Sequence, residues 1–136
     1  MRPRPKQAAF TVLLVEDDAE FAAGIAGALA AGGIEVATAH TCTDAIRLAQ
    51  QSPPDAVLLD LGLPDGNGYE VARALRKEFL PPESAVVILT ASSVSDLLPA
   101  EYVGVDLMLS KPVDTELLGG LLRHLHTQRK RKPTTR

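Results

Sequence analysis

Aromatic side chains are scarce, only 4% of the 136 residues, so a core must be built from Ala, Val, Leu and Ile, within an apolar total of 46%. That composition suits parallel sheets covered by helices. Cysteine is almost absent: Cys42 stands alone, which excludes an internal disulfide and fits a reducing cytosol. No apolar run approaches the length that spans a bilayer. The opening "MRPRPKQAAFTVLLV" has basic residues before an apolar stretch but no small-residue cleavage site, and it runs straight into Glu16-Asp17-Asp18. It does not read as a signal peptide. A chain of this length forms one domain with its own core.

Charge is segregated. Arg2, Arg4 and Lys6 lie in residues 1–10, and Arg123, Arg129, Lys130, Arg131, Lys132 and Arg136 lie in 123–136. Those nine of 14 bases leave five for residues 11–122, where all 17 acids sit, so the body is near −12 and the ends together +9. An acidic body with basic ends is not the pattern of a nucleic-acid-binding core, and no membrane partner is expected. The reading divides the chain into a flexible basic arm (1–9), a folded domain (10–127) and a flexible basic tail (128–136). No output domain is expected after residue 127.

The chain alternates between two periods. Strands are expected at 11–15, 34–39, 56–60, 85–89 and 105–109. Between them come helices at 19–31 (Phe21, Ile25 and Leu29 on one stripe), 43–51 (Ile46 and Ala49 inward) and about 67–79. The last helix is expected at 114–127, capped by Asp114, with Leu117, Leu118, Leu121, Leu122 and Leu125 as its apolar stripe. Pro99 interrupts the interval 91–104, so a fourth helix there is expected to be short or irregular. Five strands alternating with helices mean a doubly wound parallel sheet.

The polar residues fall where such a sheet binds ligands, beyond the carboxyl ends of its strands. Glu16, Asp17 and Asp18 end the first strand, Asp60 the third, Thr90 the fourth and Ser110-Lys111 the fifth. Crowded carboxylates repel one another, and a hard divalent cation such as Mg²⁺ relieves them. An ammonium at Lys111 and a hydroxyl at Thr90 suit phosphoryl oxygens, and Asp60 is the candidate nucleophile for an aspartyl phosphate. Taken singly these residues have plainer readings. Asp60 opens a loop, Thr90 is a β-former, and Lys111 is a solvated charge; their placement at separate strand ends is what speaks for a site. His40 reads as a surface residue, Cys42 as a small hydrophobe facing its helix's core side, and His124 and His126 as charges at a helix C-terminus. Close packing would explain Gly119-Gly120 inside the last helix.

In this order and spacing, "LLVEDD", "LLDLGLPDGNGYE", "ILTAS" and "LSKPVD" strongly resemble the receiver domain of two-component response regulators, over residues 11–126. The wording looks most like receivers attached to hybrid sensor kinases. The resemblance implies a flavodoxin-like (βα)5 fold with strand order 2-1-3-4-5. It implies Asp60 as phosphoacceptor, Asp17 as a direct Mg²⁺ ligand, Glu16 acting through water, and the Gly62 backbone carbonyl as a further ligand. Thr90 and Lys111 then contact the phosphoryl group, and the Lys111–Pro112 bond is cis. The implied protein is a cytoplasmic, stand-alone phosphoacceptor that takes its phosphoryl group from a sensor histidine kinase or a histidine phosphotransfer protein. It is not a conventional enzyme, although it assists its own phosphorylation and dephosphorylation. Two departures stand out. Met108 occupies the place of a Tyr or Phe three residues before the lysine, and the segment holding Pro99 is about one residue short. Two rival functions remain: a binding module that works unphosphorylated, and a phosphatase with an aspartyl intermediate, which typically needs a second acid where this chain has Gly62.

Overall fold

The computed structural model describes residues 9–91 and 104–131. The chain runs β1 (Thr11–Val15), α1 (Ala19–Ala31), β2 (Glu35–Ala39), α2 (Cys42–Gln51), β3 (Ala56–Asp60), a hairpin of β4 (Gly62–Leu63) and β5 (Gly66–Asn67), then α3 (Gly68–Ala74). A π-helical turn over Leu75–Phe79 follows α3, then come β6 (Ala85–Thr90), β7 (Leu107–Ser110) and α4 (Thr115–Arg131). Five strands form one parallel sheet in the order β2-β1-β3-β6-β7. With the small hairpin set aside, this is the expected 2-1-3-4-5 order, and the flavodoxin-like doubly wound sheet is the observed fold. The expected irregular fourth helix, with Pro99, lies outside the described residues.

Both faces of the sheet are covered, which is why its strands read as unbroken apolar runs. Leu13, Val15, Val57, Leu59, Val86 and Ile88 point toward α2, α3 and the π turn, where Ala45, Ala49, Val71 and Leu75 close the layer. Val12, Leu14, Ala56, Leu58, Val87 and Leu89 point the other way, against Ile25 and Leu29 of α1 and Leu118 and Leu122 of α4. Aliphatic side chains suffice because the two layers interlock at short range.

Four local expectations are revised. The helix expected over 67–79 widens at Leu75, where the Leu80 amide donates to the Leu75 carbonyl at 2.8 Å. An i→i+5 turn brings residues five apart onto one side, and Leu75 and Leu80 both belong to the same core layer. Leu117 does not join the apolar stripe of α4; it is 67% exposed, because the sheet-facing line of the helix passes through Leu118 and Leu122. Of the two adjacent glycines only Gly119 is explained by packing, since a Cβ there would stand 3.2 Å from Ile34 Cδ1, whereas Gly120 has open space.

The fourth revision concerns the C-terminus. The last helix was expected to end at 127 and a flexible tail to begin at 128, but α4 continues through Arg131. Its extra turn is anchored from a distance. Arg129 Nε donates to both Asp106 oxygens at 2.8 and 3.0 Å, and its Nη1 donates to the Pro82 carbonyl at 2.7 Å. Asp106 also accepts from the Val86 amide at 2.8 Å and lies 3.5 Å from Arg76 Nη2, so one carboxylate just before β7 joins β6, the π turn and α4. Burial, then the neighbouring Arg129 charge, push the Arg76 guanidinium down to about 10, with Asp106 opposing.

Candidate active site

Each candidate residue sits where its strand ends. Glu16 and Asp17 follow β1, Asp60 is the last residue of β3, Thr90 the last of β6, and Lys111 follows β7. Thr90 and Lys111 are adjacent through backbone, the Lys111 amide donating to the Thr90 carbonyl at 2.8 Å. Together with Asp18, Leu61, Gly62 and Ala91 these residues line one cleft of about 530 Å³.

The loop after Asp60 is held by its own hairpin. Gly62 pairs with Asn67 and Leu63 with Gly66, and the Gly68 amide returns to the Leu61 carbonyl at 3.0 Å. Gly68 is obligatory: a Cβ would meet Asp60 O and Leu61 Cα at 2.8 Å, backbone atoms that cannot yield without moving the strand end. The hairpin tip is tied down as well, because Asp65 accepts from the amides of Cys42 at 2.8 Å and Thr43 at 3.4 Å at the start of α2.

A buried charge cluster occupies the centre. Glu16 is 1% exposed and Asp60 is 7% exposed, and Lys111 Nζ lies 3.1 Å from Glu16 Oε1 and 3.2 Å from Asp60 Oδ1. The second Glu16 oxygen accepts the Asp18 amide at 3.2 Å. Burial raises the Glu16 carboxyl above its usual range, against the opposing hydrogen bond from Lys111. Burial alone would lower Lys111, but its bonds to Glu16 and Asp60 and their charges outweigh that and raise it. One ligand oxygen each from Glu16, Asp17 and Asp60 lies within 4.8 Å of the others, so this set fits a hard cation. Asp17 is exposed, and Asp18 leaves it free by capping α1 itself, accepting from Glu20 and Phe21 amides at 3.0 and 3.1 Å.

Three contributors escaped the sequence reading. His40 is exposed, yet its Nδ1 is 2.9 Å from the Glu16 carbonyl oxygen, so the residue that follows β2 braces the acidic loop. Phe21, read as part of an apolar stripe, lies with its ring centroid 4.4 Å from Lys111 Nζ. Asp65 had a local signal, a turn acid beside Pro64 and Gly66, but nothing local pointed to α2. Away from the cleft, His126, expected as a terminal charge, is half-buried, with Nδ1 2.8 Å from the Glu83 carbonyl oxygen and its ring edge-on to Phe10.

A family model described as "Response regulator receiver domain" matches residues 12–123. The chain belongs to that family. Its receiver is 39% identical over 113 residues to the KDP operon transcriptional regulatory protein KdpE of Escherichia coli K12, covering 82% of this chain and 49% of that protein. It is 34% identical to the photosynthetic apparatus regulatory protein RegA of Cereibacter sphaeroides, covering 76% and 56%. The receiver thus spans about half the length of the curated relatives it matches. Among solved structures, the CheY-like receiver domain from Methylobacillus flagellatus superposes with a TM-score of 0.77 at 27% identity, over 86% of this chain and 98% of that one. A sensor protein from Polaromonas sp. JS666 superposes at 0.79 with 28% identity, over 93% and 99%. Among the described residues no helix is long and apolar enough to cross a membrane.

Proposed function

We propose that this receiver accepts a phosphoryl group on Asp60 from a phosphohistidine of a sensor kinase or a histidine phosphotransfer protein, in the cytoplasm, as a step of two-component signalling. The observation that carries the reading is the position of Asp60. Its carboxylate ends a central strand, faces an open cleft, and shares the Lys111 ammonium with Glu16. An Asp60 oxygen bonds to phosphorus as the phosphorus–nitrogen bond breaks, and the imidazole leaves with the electron pair. Transfer of this kind depends on positioning and charge neutralisation. Lys111 supplies a fixed positive charge beside the acceptor, and Thr90 a hydroxyl at the neighbouring strand end.

The residues that would hold Mg²⁺ are Asp17 and Asp60 directly, Glu16 through water, and Gly62 through its carbonyl. When bound, the ion neutralises charge on the carboxylates and the phosphoryl oxygens. Turnover is limited to the domain's own phosphorylation and dephosphorylation, because no second acid stands at Gly62 to drive repeated hydrolysis. The step needs the receiver and its phosphohistidine donor, and no part of it calls for nucleic acid or membrane. Met108 is half-buried in β7, paired with Ile88 of β6 and packed against the core layer that includes residues of α2 and α3. A flexible thioether there favours phosphate relay or partner docking over an aromatic switch.

The test is labelling with acetyl phosphate and Mg²⁺, followed by mapping of the acid-labile phosphate. The parent labels once per chain and Asp60→Asn does not label. Equal labelling of the variant, with phosphate on another residue, refutes the assignment.

A further inference from the structure

The ring of Phe21 performs a task that its place on an apolar stripe does not explain. Lys111 Nζ has three protons to donate. One is directed at Glu16 Oε1 and one at Asp60 Oδ1, at 3.1 and 3.2 Å, and the ammonium lies over the Phe21 ring, 4.4 Å from its centroid. The Lys111 side chain remains 23% exposed, so the group still opens toward the cleft. The face of an aromatic ring carries negative potential and attracts a cation without using up a hydrogen-bond donor. A wall of this kind keeps the ammonium in the site, where its ion pairs among the described residues are with Glu16 and Asp60.

The wall is itself fixed by the site. Phe21 stands in the first turn of α1, and its amide donates to Asp18 Oδ1 at 3.1 Å, next to the acidic pair.

We propose that Phe21 is a positioning residue for Lys111: the ring face holds the ammonium between Glu16 and Asp60 at the edge of the cleft, where an incoming phosphoryl oxygen would meet it, and so sets the rate of phosphoryl acceptance. The proposal rests on Asp60 being the acceptor. An aliphatic side chain of similar size fills the same space but lacks the ring's potential. Water then competes for the ammonium, and the side chain spends time outside the site.

The experiment compares Phe21→Leu, Phe21→Met, Phe21→Tyr and Phe21→Trp in the full chain. Initial labelling by acetyl phosphate at saturating Mg²⁺ is expected to fall roughly fivefold in the Leu and Met variants. The Tyr variant, which keeps the ring face, stays within about twofold of the parent, and Trp serves as a second rescue if Tyr misfolds. Two readouts are independent of activity. In the parent, the Lys111 Cε protons are shifted upfield in the proton NMR spectrum by the ring current, and that shift disappears in the Leu and Met variants. Metal affinity, titrated calorimetrically with Mg²⁺ alone, is not weakened, because Phe21 supplies no candidate ligand atom. Parent-like labelling in the folded Leu or Met variant overturns the proposal, as do equal slowing in all four variants and an absent upfield shift in the parent. Failure of the phosphoacceptor reading looks different: the parent does not label, or Asp60→Asn labels as well as the parent.

Discussion

Replacing Lys111 with Met removes the ammonium and keeps most of the apolar stem. In the parent that ammonium is shared by two carboxylates that are 1% and 7% exposed. Removing one partner from a fully buried ion pair costs about 3–5 kcal/mol, because the remaining charge stays desolvated. Lys111 is 23% exposed, so solvent already screens part of the interaction, and the expected loss is about 2–3 kcal/mol in metal-free buffer. Mg²⁺ should shrink the deficit. At ten times the parent's dissociation constant, Mg²⁺ binding stabilises the parent by about 1.4 kcal/mol. The variant lacks a repelling positive charge beside the metal site, which favours a dication by about 1.4 kcal/mol, or roughly tenfold in affinity. At the same concentration its gain is then about 2.7 kcal/mol, and the deficit falls to about 0.7–1.7 kcal/mol.

The pH dependence has a defined sign. Glu16 is raised by burial, and Lys111 holds it down, so the variant's Glu16 is raised further. An acid raised in the folded state contributes stability below its unfolded value that is lost as pH rises through its folded one. The deficit of the variant is therefore largest at neutral pH and shrinks as the pH falls. Urea unfolding followed by circular dichroism, in EDTA and in Mg²⁺, measures all three effects. A variant as stable as the parent in EDTA refutes the electrostatic account. A deficit indifferent to Mg²⁺ refutes the placement of the metal on these carboxylates.

Asp106→Ala leaves the Val86 amide unpaired and two guanidinium groups without their acid, at a cost of about 3 kcal/mol. The thermal midpoint should drop by roughly 10 °C, and amide exchange should show the turn at Arg129–Arg131 opening first; a drop under ~3 °C would mean that the clasp is incidental. Gly120→Ala, at an open position of α4, should stabilise by about 0.5–1 kcal/mol, whereas Gly119→Ala gains less because its methyl presses on Ile34. Thermal melts of both variants check the order, and an equal gain would contradict the packing assigned to Gly119.

The strands and the strand-end positions of Glu16, Asp17, Asp60, Thr90 and Lys111 were legible in the sequence, because they follow from two local quantities. Periodicity tells a strand from a helix, and in a doubly wound sheet every strand end faces the same edge. The order of the strands in the sheet was implied only by the resemblance of the motifs to receiver domains. The glycines of the loop after Asp60 were legible as a turn, although the close approach of Gly68 to the Asp60 carbonyl was not. What remained hidden depends on contacts between distant residues. Lys111 meets Glu16 across 95 positions, Asp65 reaches α2 across 23, and Arg129 finds Asp106 across 23. No local pattern encodes those meetings; they exist only once the crossovers have brought separate elements to one end of the sheet. Helix rotation belongs to the same class. A stripe of five leucines is compatible with several rotations of α4, and only packing on β3 and β6 turned Leu118 and Leu122 inward and left Leu117 in solvent. Sequence therefore determined which groups arrive at the edge, and tertiary packing decided their partners, because side-chain contact depends on the relative placement of whole elements rather than on the order of residues within one.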